Sequence, residues 1–462
     1  MKLRKRTLLH LIISTIQMKQ KLTLLFAVLC NACFIIAANY SGSCGDKLHW
    51  ELNTEDSTLV ITGSGAMKNW EYTSTIPWYQ YRSYIVHVSL PSNLTSIGDR
   101  AFTQCASLRD ITIPQYVTSI GNYSFSGCNS LALIVIPSSV TSFGMSAFAS
   151  CTSLITINIP NSVTTIGQSA FYNCVSLEGI VIPKSVTSIG TSAFSSCLAM
   201  TSIHVDLQNS VYCSIDGVLF DKAATKIIQY PIGNVSPSYT IPESVVEIGS
   251  FAFEECINIR SIQIPNTVTT IGRMAFYSCD SLKTITIGNG VTSIGEDVFG
   301  KCTSLAQINV DETNTKYSSI NGVLYNKDGT HLIMYPIRHA DTSYIIPYTV
   351  SKISEGAFDR CIYLTALTCE AQTPPILLGS VFYGVDKSIP LYVPAESISA
   401  YKSAEQWKDF MNILPIPEDP TGLAGETKEG YDHYCSRKIF NNGQLLILRD
   451  GKTYTVQGLE VK

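Results

Sequence analysis

Nine of the 15 cysteines occupy the same place in a repeating pattern, and thiols at regular spacing can form disulfides, bind metal ions or pack as small apolar groups. If the repeats stack, aligned side chains on neighbouring units stand about 4.8 Å apart and point the same way. A disulfide needs Cβ atoms about 3.8 Å apart on converging vectors, and metal sites favour C-x-x-C pairs, of which the sequence has one, Cys30 and Cys33. The spacing therefore favours a ladder of buried thiols, with a disulfide or metal framework as the alternative. The nine are Cys105, Cys128, Cys151, Cys174, Cys197, Cys256, Cys279, Cys302 and Cys361.

Other residues that could catalyse a reaction are scattered along the sequence. The seven histidines form no H-E-x-x-H spacing, and there is neither a G-x-S-x-G elbow nor a phosphate-binding loop. The adjacent acids Glu254 and Glu255, and Asp311 and Glu312, are typical of solvated turns. We therefore expect no catalytic residues, no metal site and no cofactor. A secreted hydrolase whose site is assembled from distant repeats is the catalytic alternative.

The residues that must position these groups lie in repeats of 23 residues. A fixed period in this range is typical of stacked units, each too small to bury its apolar face alone. Within the repeat at residues 154–159, apolar and polar residues alternate, which predicts a strand with one buried face. Pro160 ends this strand because proline has no amide proton to donate. The same period relates Phe102, Phe125, Phe148, Phe171 and Phe194.

The second half of each repeat is predicted to return to the core. Val163 and Ile166 point inward from a segment rich in Ser and Thr, and Gly167 permits a turn that a side chain would resist. Ala170, Phe171 and Cys174 have the spacing of one short helical turn. The predicted fold is a mainly β solenoid.

The pattern LxxIxIPxxVTxIGxxAFxxC resembles the leucine-rich repeat of the bacterial surface protein A (BspA-like) family. Generic leucine-rich repeats carry Asn or Cys where this pattern has Pro, and they lack the AF-x-x-C turn. The resemblance covers residues 94–369, which we take as the leucine-rich-repeat solenoid. It implies a right-handed horseshoe or a straight solenoid on a bacterial surface, used for attachment to other molecules.

Two repeats in this range are longer than the rest. Phe194 and Phe253 are 59 residues apart, as are Phe299 and Phe358, and the two inserted sequences match at an offset of 105. Each insertion predicts a β-hairpin that extends the repeat sheet, with a polar turn at its tip. The paired segments are 217–220 with 226–230 and 322–325 with 331–335.

The segments that flank the repeats are predicted to cap the open ends of the solenoid. Residues 39–93 form the N-terminal β cap, with a hairpin of residues 48–52 and 58–61. Residues 370–417 form the C-terminal cap, which is expected to be largely helical from 395 to 411. Three aromatic residues are expected in the core of the N-terminal cap rather than at a ligand site: Trp50, Trp70 and Trp78.

Residues 1–38 have the order of an export signal. Basic residues after Met18 precede an apolar run from Leu22 to Ile36, followed by Ala37 and Ala38. This order predicts a signal peptide cleaved near Ala38, with Met18 as an alternative start of translation. The run is shorter than the roughly 20 residues that span a bilayer, so a transmembrane anchor is not expected. We expect a secreted or cell-surface protein.

The C-terminal end differs in composition from the repeats. Residues 418–430 are predicted to be a polar linker, and residues 431–462 a short β tail with strands at 438–440, 444–449 and 453–456. The tail resembles those of exported Bacteroidetes proteins. That resemblance implies a sorting or anchoring tag, which would associate with the outer membrane.

The outward face of the strands is the predicted binding surface. The third and fifth residues of L-x-x-I-x-I point outward, and they include one acid but neither Lys nor Arg. Apolar side chains are expected to lie beside each other there, and such patches mark interaction sites; a plain solvated sheet is the alternative. The predicted ligand-binding residues are Leu133, Val135, Thr156, Asn158 and Val181.

These patterns together predict an exported binding or adhesion protein that recognises an extracellular protein or glycan and is a monomer. The net charge of −4 argues against a nucleic-acid partner. A non-catalytic structural spacer or envelope-assembly protein is the alternative function.

Overall fold

The computed structural model describes residues 39–417 and, by backbone alone, four strands between residues 436 and 461. The predicted signal peptide at 1–38 and the predicted linker at 418–430 lie outside the described residues.

The described chain begins with a β cap. Three strands pair antiparallel, and the third then pairs in parallel with the next coil, so that the cap sheet continues into the repeats. The hairpin predicted at 48–52 and 58–61 is confirmed, whereas the first strand was not predicted. The strands are β1 (Asn39–Gly45), β2 (Leu48–Asn53), β3 (Thr58–Gly63), β4 (Gly65–Ala66) and β5 (His87–Ser89), with 3-10 helices at Thr73–Thr75 and Tyr79–Tyr84.

The three tryptophans lie in the core of this cap, as predicted. Trp50 and Trp70 pack edge-on against Trp78, with ring centroids 5.7 and 5.4 Å away. The indole Nε1 of Trp78 donates to the carbonyl of Ala101 at 2.8 Å, which fixes the ring above the first coil. The aromatic stack of the repeats begins at this ring, since Trp78 and Phe102 lie 6.1 Å apart.

Each coil contains two short strands that stack in parallel on the same strands of its neighbours. We call the sheet of the predicted strands the first-strand face; the second strand of each coil, which was not predicted, forms the second-strand face. The first block of coils contains β6 (Leu94–Ile97), β7 (Asp110–Ile111), β8 (Ser119–Ile120), β9 (Leu133–Ile134), β10 (Ser142–Phe143), β11 (Thr156–Ile157), β12 (Thr165–Ile166), β13 (Gly179–Ile182), β14 (Ser188–Ile189) and β15 (Ser202–Val205).

The first long repeat forms a three-stranded antiparallel meander where a two-stranded hairpin was predicted. Its last strand pairs in parallel with the second-strand face, so the insertion extends that sheet and not the first-strand face. The meander is β16 (Tyr212–Ile215), β17 (Val218–Asp221) and β18 (Lys226–Gln229). The second block follows with β19 (Ser238–Thr240), β20 (Glu247–Ile248), β21 (Ser261–Ile264), β22 (Thr270–Ile271), β23 (Thr284–Ile287), β24 (Ser293–Ile294) and β25 (Gln307–Val310).

The second long repeat has the same architecture as the first. It consists of β26 (Tyr317–Ile320), β27 (Val323–Asn326) and β28 (His331–Met334). The third block and the C-terminal cap contain β29 (Ser343–Ile346), β30 (Lys352–Ile353), β31 (Ala366–Cys369), β32 (Ile376–Leu377), β33 (Pro390–Val393), α1 (Ile398–Ser403) and β34 (Asn412–Pro415), with 3-10 helices at Ala395–Ser397 and Trp407–Asp409. The tail has β35 (Ser436–Asn441), β36 (Gln444–Arg449), β37 (Lys452–Thr455) and β38 (Glu460–Val461), paired antiparallel.

Helices occupy most of the segment from 395 to 411, as expected, but they are short and separate. Among the described residues, α1 is the one α-helix, and it spans six residues. Gln406 takes a φ of 59°, which helical geometry does not allow, and the chain then turns so that Trp407 is buried. The indole of Trp407 donates to the carbonyl of Pro375 at 3.1 Å, which ties the cap to the last coil.

The apolar core is divided by the two meanders into three clusters. Within a cluster, the repeated phenylalanine rings stack along the solenoid axis; Phe125 and Phe148, for example, lie 5.4 Å apart and nearly parallel. In the second block the stack restarts at Tyr230, and in the third block at Tyr335. Each meander therefore supplies a tyrosine that begins a new aromatic column.

We call the segment from the repeat glycine to the cysteine the corner of each coil; its part from Ala170 to Cys174 was predicted as a short helical turn, and this was wrong. Ser169 and Asn173 have φ values of 53° and 59°, in the left-handed region, so the helix cannot form. This conformation turns the amides of Ser169, Phe171 and Asn173 toward the next coil, where they donate to carbonyls at 3.0, 2.9 and 2.9 Å. The corner is a ladder of bonds between coils rather than a helix.

Gly167 is required for a reason other than the one predicted from the sequence. Its φ is not in the left-handed region, but a Cβ there would lie 2.5 Å from the carbonyl carbon of Gly144 in the preceding coil. The glycine therefore allows two coils to approach closely, which any side chain would prevent.

The repeat cysteines form the predicted ladder of buried free thiols. The Sγ of Cys174 donates to the carbonyl of Phe148 in the preceding coil at 3.1 Å, and the same contact recurs along the blocks. Burial raises the pKa of the Cys174 thiol to about 12 and that of Cys105 to about 12. These thiols stay protonated near neutral pH and act as weak donors inside the core.

The left-handed corners lead to a prediction at Ser278, where φ is 57° and the equivalent position of another coil is Gly127. Ser278→Val should lower the free energy of unfolding by roughly 1–2 kcal/mol, because a β-branched side chain is strained in this conformation. Ser278→Gly should change it by less than about 1 kcal/mol, since relief of strain and loss of chain entropy oppose each other. Urea unfolding followed by circular dichroism measures both. Thr284→Val, on β23, is the matched control, and equal stability of the valine and glycine variants would contradict the corner geometry.

The thiol ladder predicts selective alkylation. When the native protein is treated with iodoacetamide at pH 8, Cys213, which is half-buried, should be modified first among the described cysteines. The nine repeat cysteines should react only after unfolding in urea, because the thiolate is the reactive form and burial suppresses it. Peptide mapping by mass spectrometry reads each site separately. Rapid native modification of Cys174 would show that the ladder is open to solvent.

Candidate binding surface

The predicted ligand-binding residues lie on neighbouring strands of the first-strand face. Leu133 on β9 pairs directly with Thr156 on β11, in parallel register. The same register places Val135 beside Asn158 in the next row. On β13, Val181 pairs with His204 on β15.

Three of the five predicted residues expose large apolar groups. The exposed fractions of Leu133, Val135 and Val181 are 58%, 70% and 58%. The expectation that they lie side by side was wrong for Val181, because the coil that carries Asn158 lies between the coils of Val135 and Val181. Ile155, with 49% exposed, was missed; it precedes the outward position and lies at the bend into the strand. We call Leu133, Val135, Ile155, Thr156, Asn158 and Val181 the strip.

Charged residues border the strip on both sides. Arg109 and Asp110 are exposed one coil before it, and Glu178 is exposed next to Val181's strand. Asp110 also lies 3.8 Å from the Nδ1 of His87. No charged side chain stands within the strip itself, so its centre is apolar and neutral with a polar rim.

The first meander ends the first-strand face beyond the strip. The amide of Ile203 on β15 donates to the carbonyl of Gly217 at 2.8 Å, and the amide of Val205 donates to the Oγ of Ser214 at 3.0 Å. The edge of β15 is therefore paired with the meander and not with another coil. The second meander covers β25 in the same way, through Gly322 and Ser319.

A buried asparagine holds each meander in place. The Nδ2 of Asn209 donates to the carbonyls of Pro183 and Val186 at 2.8 and 2.9 Å, while its Oδ1 accepts from the amides of Val211 and Tyr212. Asn314 makes the equivalent four bonds in the second long repeat. The sequence did not predict a role for this pair, although the 105-residue offset aligns the two asparagines.

The described residues hold no group of three or more side chains arranged to bind a metal ion. Titratable groups gather instead beside the second meander, where burial and the neighbouring Glu355 carboxylate raise the pKa of Asp297. Burial also raises the pKa of Asp359 nearby. No helix in the described part of the chain is long and apolar enough to cross a membrane.

Comparison with known proteins relates the chain to a repeat family. Its sequence matches the family model described as the BspA-type leucine-rich repeat region in six copies, over residues 77–201, 213–326 and 340–404. These ranges cover more than half of the chain. No curated protein matches the sequence.

Several solved structures are similar to this chain to different degrees. A leucine-rich repeat protein from Eubacterium ventriosum is 26% identical with a TM-score of 0.58, over 75% of this chain and 95% of that one. A leucine-rich cell surface protein from Faecalibacterium prausnitzii is 24% identical with a TM-score of 0.47, over 85% and 99% of the two chains. A leucine-rich repeat protein from Bacteroides ovatus is 21% identical with a TM-score of 0.39, over 81% and 99%.

The similarity to the Eubacterium ventriosum structure agrees with the stacked coils described above. Together with the family match, it confirms the predicted fold class, a mainly β solenoid with a cap at each end. The 23-residue pattern, the stacked coils and the match over most of the repeats lead to one conclusion: the chain belongs to the BspA-type leucine-rich repeat family.

Proposed function

We propose that this protein is an exported cell-surface protein that binds an extracellular protein or glycan ligand through its first-strand face and catalyses no reaction. The observation that carries the proposal is the strip, an exposed group of Leu, Val and Ile side chains on a rigid sheet. Exposed apolar patches with polar rims are typical of interaction sites. The cost of ordering such a surface on binding is small, because stacked coils already fix the strands.

Family membership and the N-terminal sequence support the proposed location. The BspA-like resemblance implies attachment at a bacterial surface, and residues 1–38 predict an export signal. The tail at 431–462 is proposed to sort or anchor the protein at the outer membrane. We propose that the protein acts as a monomer with no nucleic-acid partner.

The strip leads to a prediction for binding. The purified protein should bind in a saturable way to at least one member of an array of matrix proteins, mucins and glycans. Leu133→Asp and Val181→Asp should each weaken that binding about tenfold or more, because a buried unpaired carboxylate replaces an apolar contact. Biolayer interferometry on the identified ligand measures the loss, and circular dichroism checks that the fold is kept.

Matched controls exist in the second block. Ser261 and Gln263 on β21 occupy the outward positions equivalent to Leu133 and Val135, and both are exposed. Ser261→Asp and Gln263→Asp should leave binding unchanged. If the control variants lose affinity as much as the strip variants, charge alone explains the effect and the strip is not the contact.

Binding through the strip should depend weakly on salt. The strip carries no charged side chain, so few charges are screened or desolvated when the ligand binds. We expect the dissociation constant to change by less than about threefold between low and physiological ionic strength. Collapse of binding at moderately raised salt would place the contact on another face.

The spacer or envelope-assembly role predicts the opposite pattern. In that case the strip variants behave as wild type, while deletion of residues 431–462 abolishes surface assembly. Measuring both sets of variants in the same surface-display assay separates the two functions.

A further inference from the structure

The corner turn has a constant length in regular coils. Four residues, 190–193, separate the second-strand Ile189 from the corner residue Phe194. The corner amides then donate to corner carbonyls of the following coil, as the amides of Ser169 and Phe171 do. Each corner thus needs a complete corner beside it.

The coil formed by the first meander is shorter at this corner. Only Ile228 and Gln229 separate Ile227 from Tyr230, two residues fewer than in a regular coil. The ends of this segment nevertheless keep their places, since β18 pairs in register with β20 and the amide of Tyr230 donates to the next coil at 2.7 Å. The missing residues leave an opening in the corner ladder.

A cavity of about 300 Å³ occupies this opening. Ile189, Ser192 and Phe194 line one side, and Lys226, Ile228 and Gln229 line the other. The volume lies at the lower end of the roughly 300–1,000 Å³ range of small-molecule sites. It suits one sugar ring or a group of similar size.

Two residues that line the opening have backbone amides with no carbonyl to receive them. The amides of Ser192 and Phe194 correspond to those of Ser169 and Phe171, but in the described part of the chain no backbone carbonyl accepts from them. An unpaired amide in a half-buried site gains a full hydrogen bond when a ligand supplies an acceptor.

The side-chain acceptor in the cavity is the amide oxygen of Gln229, a residue that is mostly buried. Gln229 has 4% of its surface exposed, and its Nε2 donates to the carbonyl of Tyr230 at 3.1 Å. Within the described residues its Oε1 accepts no hydrogen bond, and the residue lines the cavity. This oxygen is not one of the fully buried side-chain atoms that lack a partner, so it is accessible from the cavity, where a ligand N–H can donate to it.

The charge of the cavity wall favours a neutral ligand. Lys226 is its one charged lining residue, and the Nζ of Lys226 pairs with the Oε1 of Glu247 at 2.6 Å. A free anion would have to compete with this carboxylate. The remaining lining groups are hydroxyls, backbone amides, Gln229 and apolar side chains.

We propose that this cavity binds the acetamido group of an N-acetylhexosamine, which replaces the peptide group that the short corner lacks. The carbonyl oxygen of the ligand accepts from the amides of Ser192 and Phe194, in the place of the missing corner carbonyl. Its N–H donates to the Oε1 of Gln229, and its methyl group packs between Ile189 and Ile228. This inference rests on the glycan arm of the proposed function but uses a site separate from the strip.

The second meander provides an internal comparison. Its corner is short in the same way, with Ile333 and Met334 between Leu332 and Tyr335. Met334 stands where the first meander has Gln229, so the acceptor for a ligand N–H is absent there. We therefore assign acetamido binding to the first meander alone.

The test is titration of the full-length protein with N-acetylglucosamine, followed by saturation-transfer NMR and calorimetry. Glucose and glucosamine, which lack the acetyl group, should bind at least tenfold more weakly, because the site's donors and acceptor would stay unpaired. Gln229→Met, which copies the second meander, should weaken N-acetylglucosamine binding tenfold or more and should fold normally. Gln263→Met, on the exposed first-strand face, is the matched control and should bind as wild type.

Each contrary result overturns the proposal. The proposal is wrong if N-acetylglucosamine does not bind, if glucose binds as tightly as N-acetylglucosamine, or if the Gln229→Met variant binds N-acetylglucosamine as tightly as the wild type. Parallel titrations with N-acetylgalactosamine and N-acetylmuramic acid distinguish mucin-type glycans from bacterial wall as sources of the same acetamido group. Leu133→Asp should bind N-acetylglucosamine normally, so failure at the cavity and failure at the strip can be told apart.

Discussion

The hydrogen bonds that each corner turn donates to the next coil are the constraint on which the rest of the structure depends. They hold neighbouring corners at the distance of adjacent strands, and the phenylalanine rings behind them stack at 5.3 Å for Phe102 and Phe125. The same spacing brings Gly167 against the carbonyl of Gly144. It also places the Cys174 thiol against the Phe148 carbonyl. Glycine, phenylalanine and cysteine therefore recur at the corners because the short distance between adjacent coils leaves room only for small side chains or for rings that stack.

The two long repeats show what happens where that constraint is relaxed. The corner of the coil before each meander finds no complete corner beside it, and the core separates into three clusters at these places. Side chains replace the missing backbone bonds: Asn209 ties the meander to the carbonyls of the preceding coil, and the hydroxyl of Tyr212 accepts from the amide of Ile189. Asn209 and the equivalent Asn314, 105 residues later, thus hold neighbouring coils together with side-chain hydrogen bonds, as backbone hydrogen bonds do in the regular coils.

The sequence predicted those features that follow from burial and period. A 23-residue repeat with alternating Leu and Ile determines which side chains face inward, so the solenoid, the thiol ladder and the exposure of Leu133 and Val135 followed from it. The left-handed corners could not be predicted, because Ser169 and Ser278 belong to a residue type with no preference for positive φ. Asn173 does belong to a type that tolerates this conformation, but most of the equivalent positions of other coils carry Ser, Gln, Lys or Arg. The second strand of each coil was missed because its two residues are too few for an alternating pattern.

The same limits apply to the candidate sites. Alternation identifies outward positions on one strand, but the neighbours of Val181 depend on coil register, and Ile155 lies outside the alternating set. The cavity beside Gln229 arises from a two-residue difference in length between coils. The difference in length can be read from the sequence. That it leaves a cavity follows only from the structure, in which the short corner lies beside a full-length one.

The matching construction of the two meanders has a consequence for how such a protein can change in length. Asn209 and Asn314 make the same bonds to the coil before them, and both meanders pass the chain to the next block through a tyrosine. The stretch from one meander to the next therefore begins and ends with equivalent junctions. Duplication or loss of that 105-residue stretch would join surfaces that already fit, whereas gain of a partial coil would not. Whole coils and whole blocks, but not fractions of a coil, are the lengths by which this solenoid can change and keep its junctions.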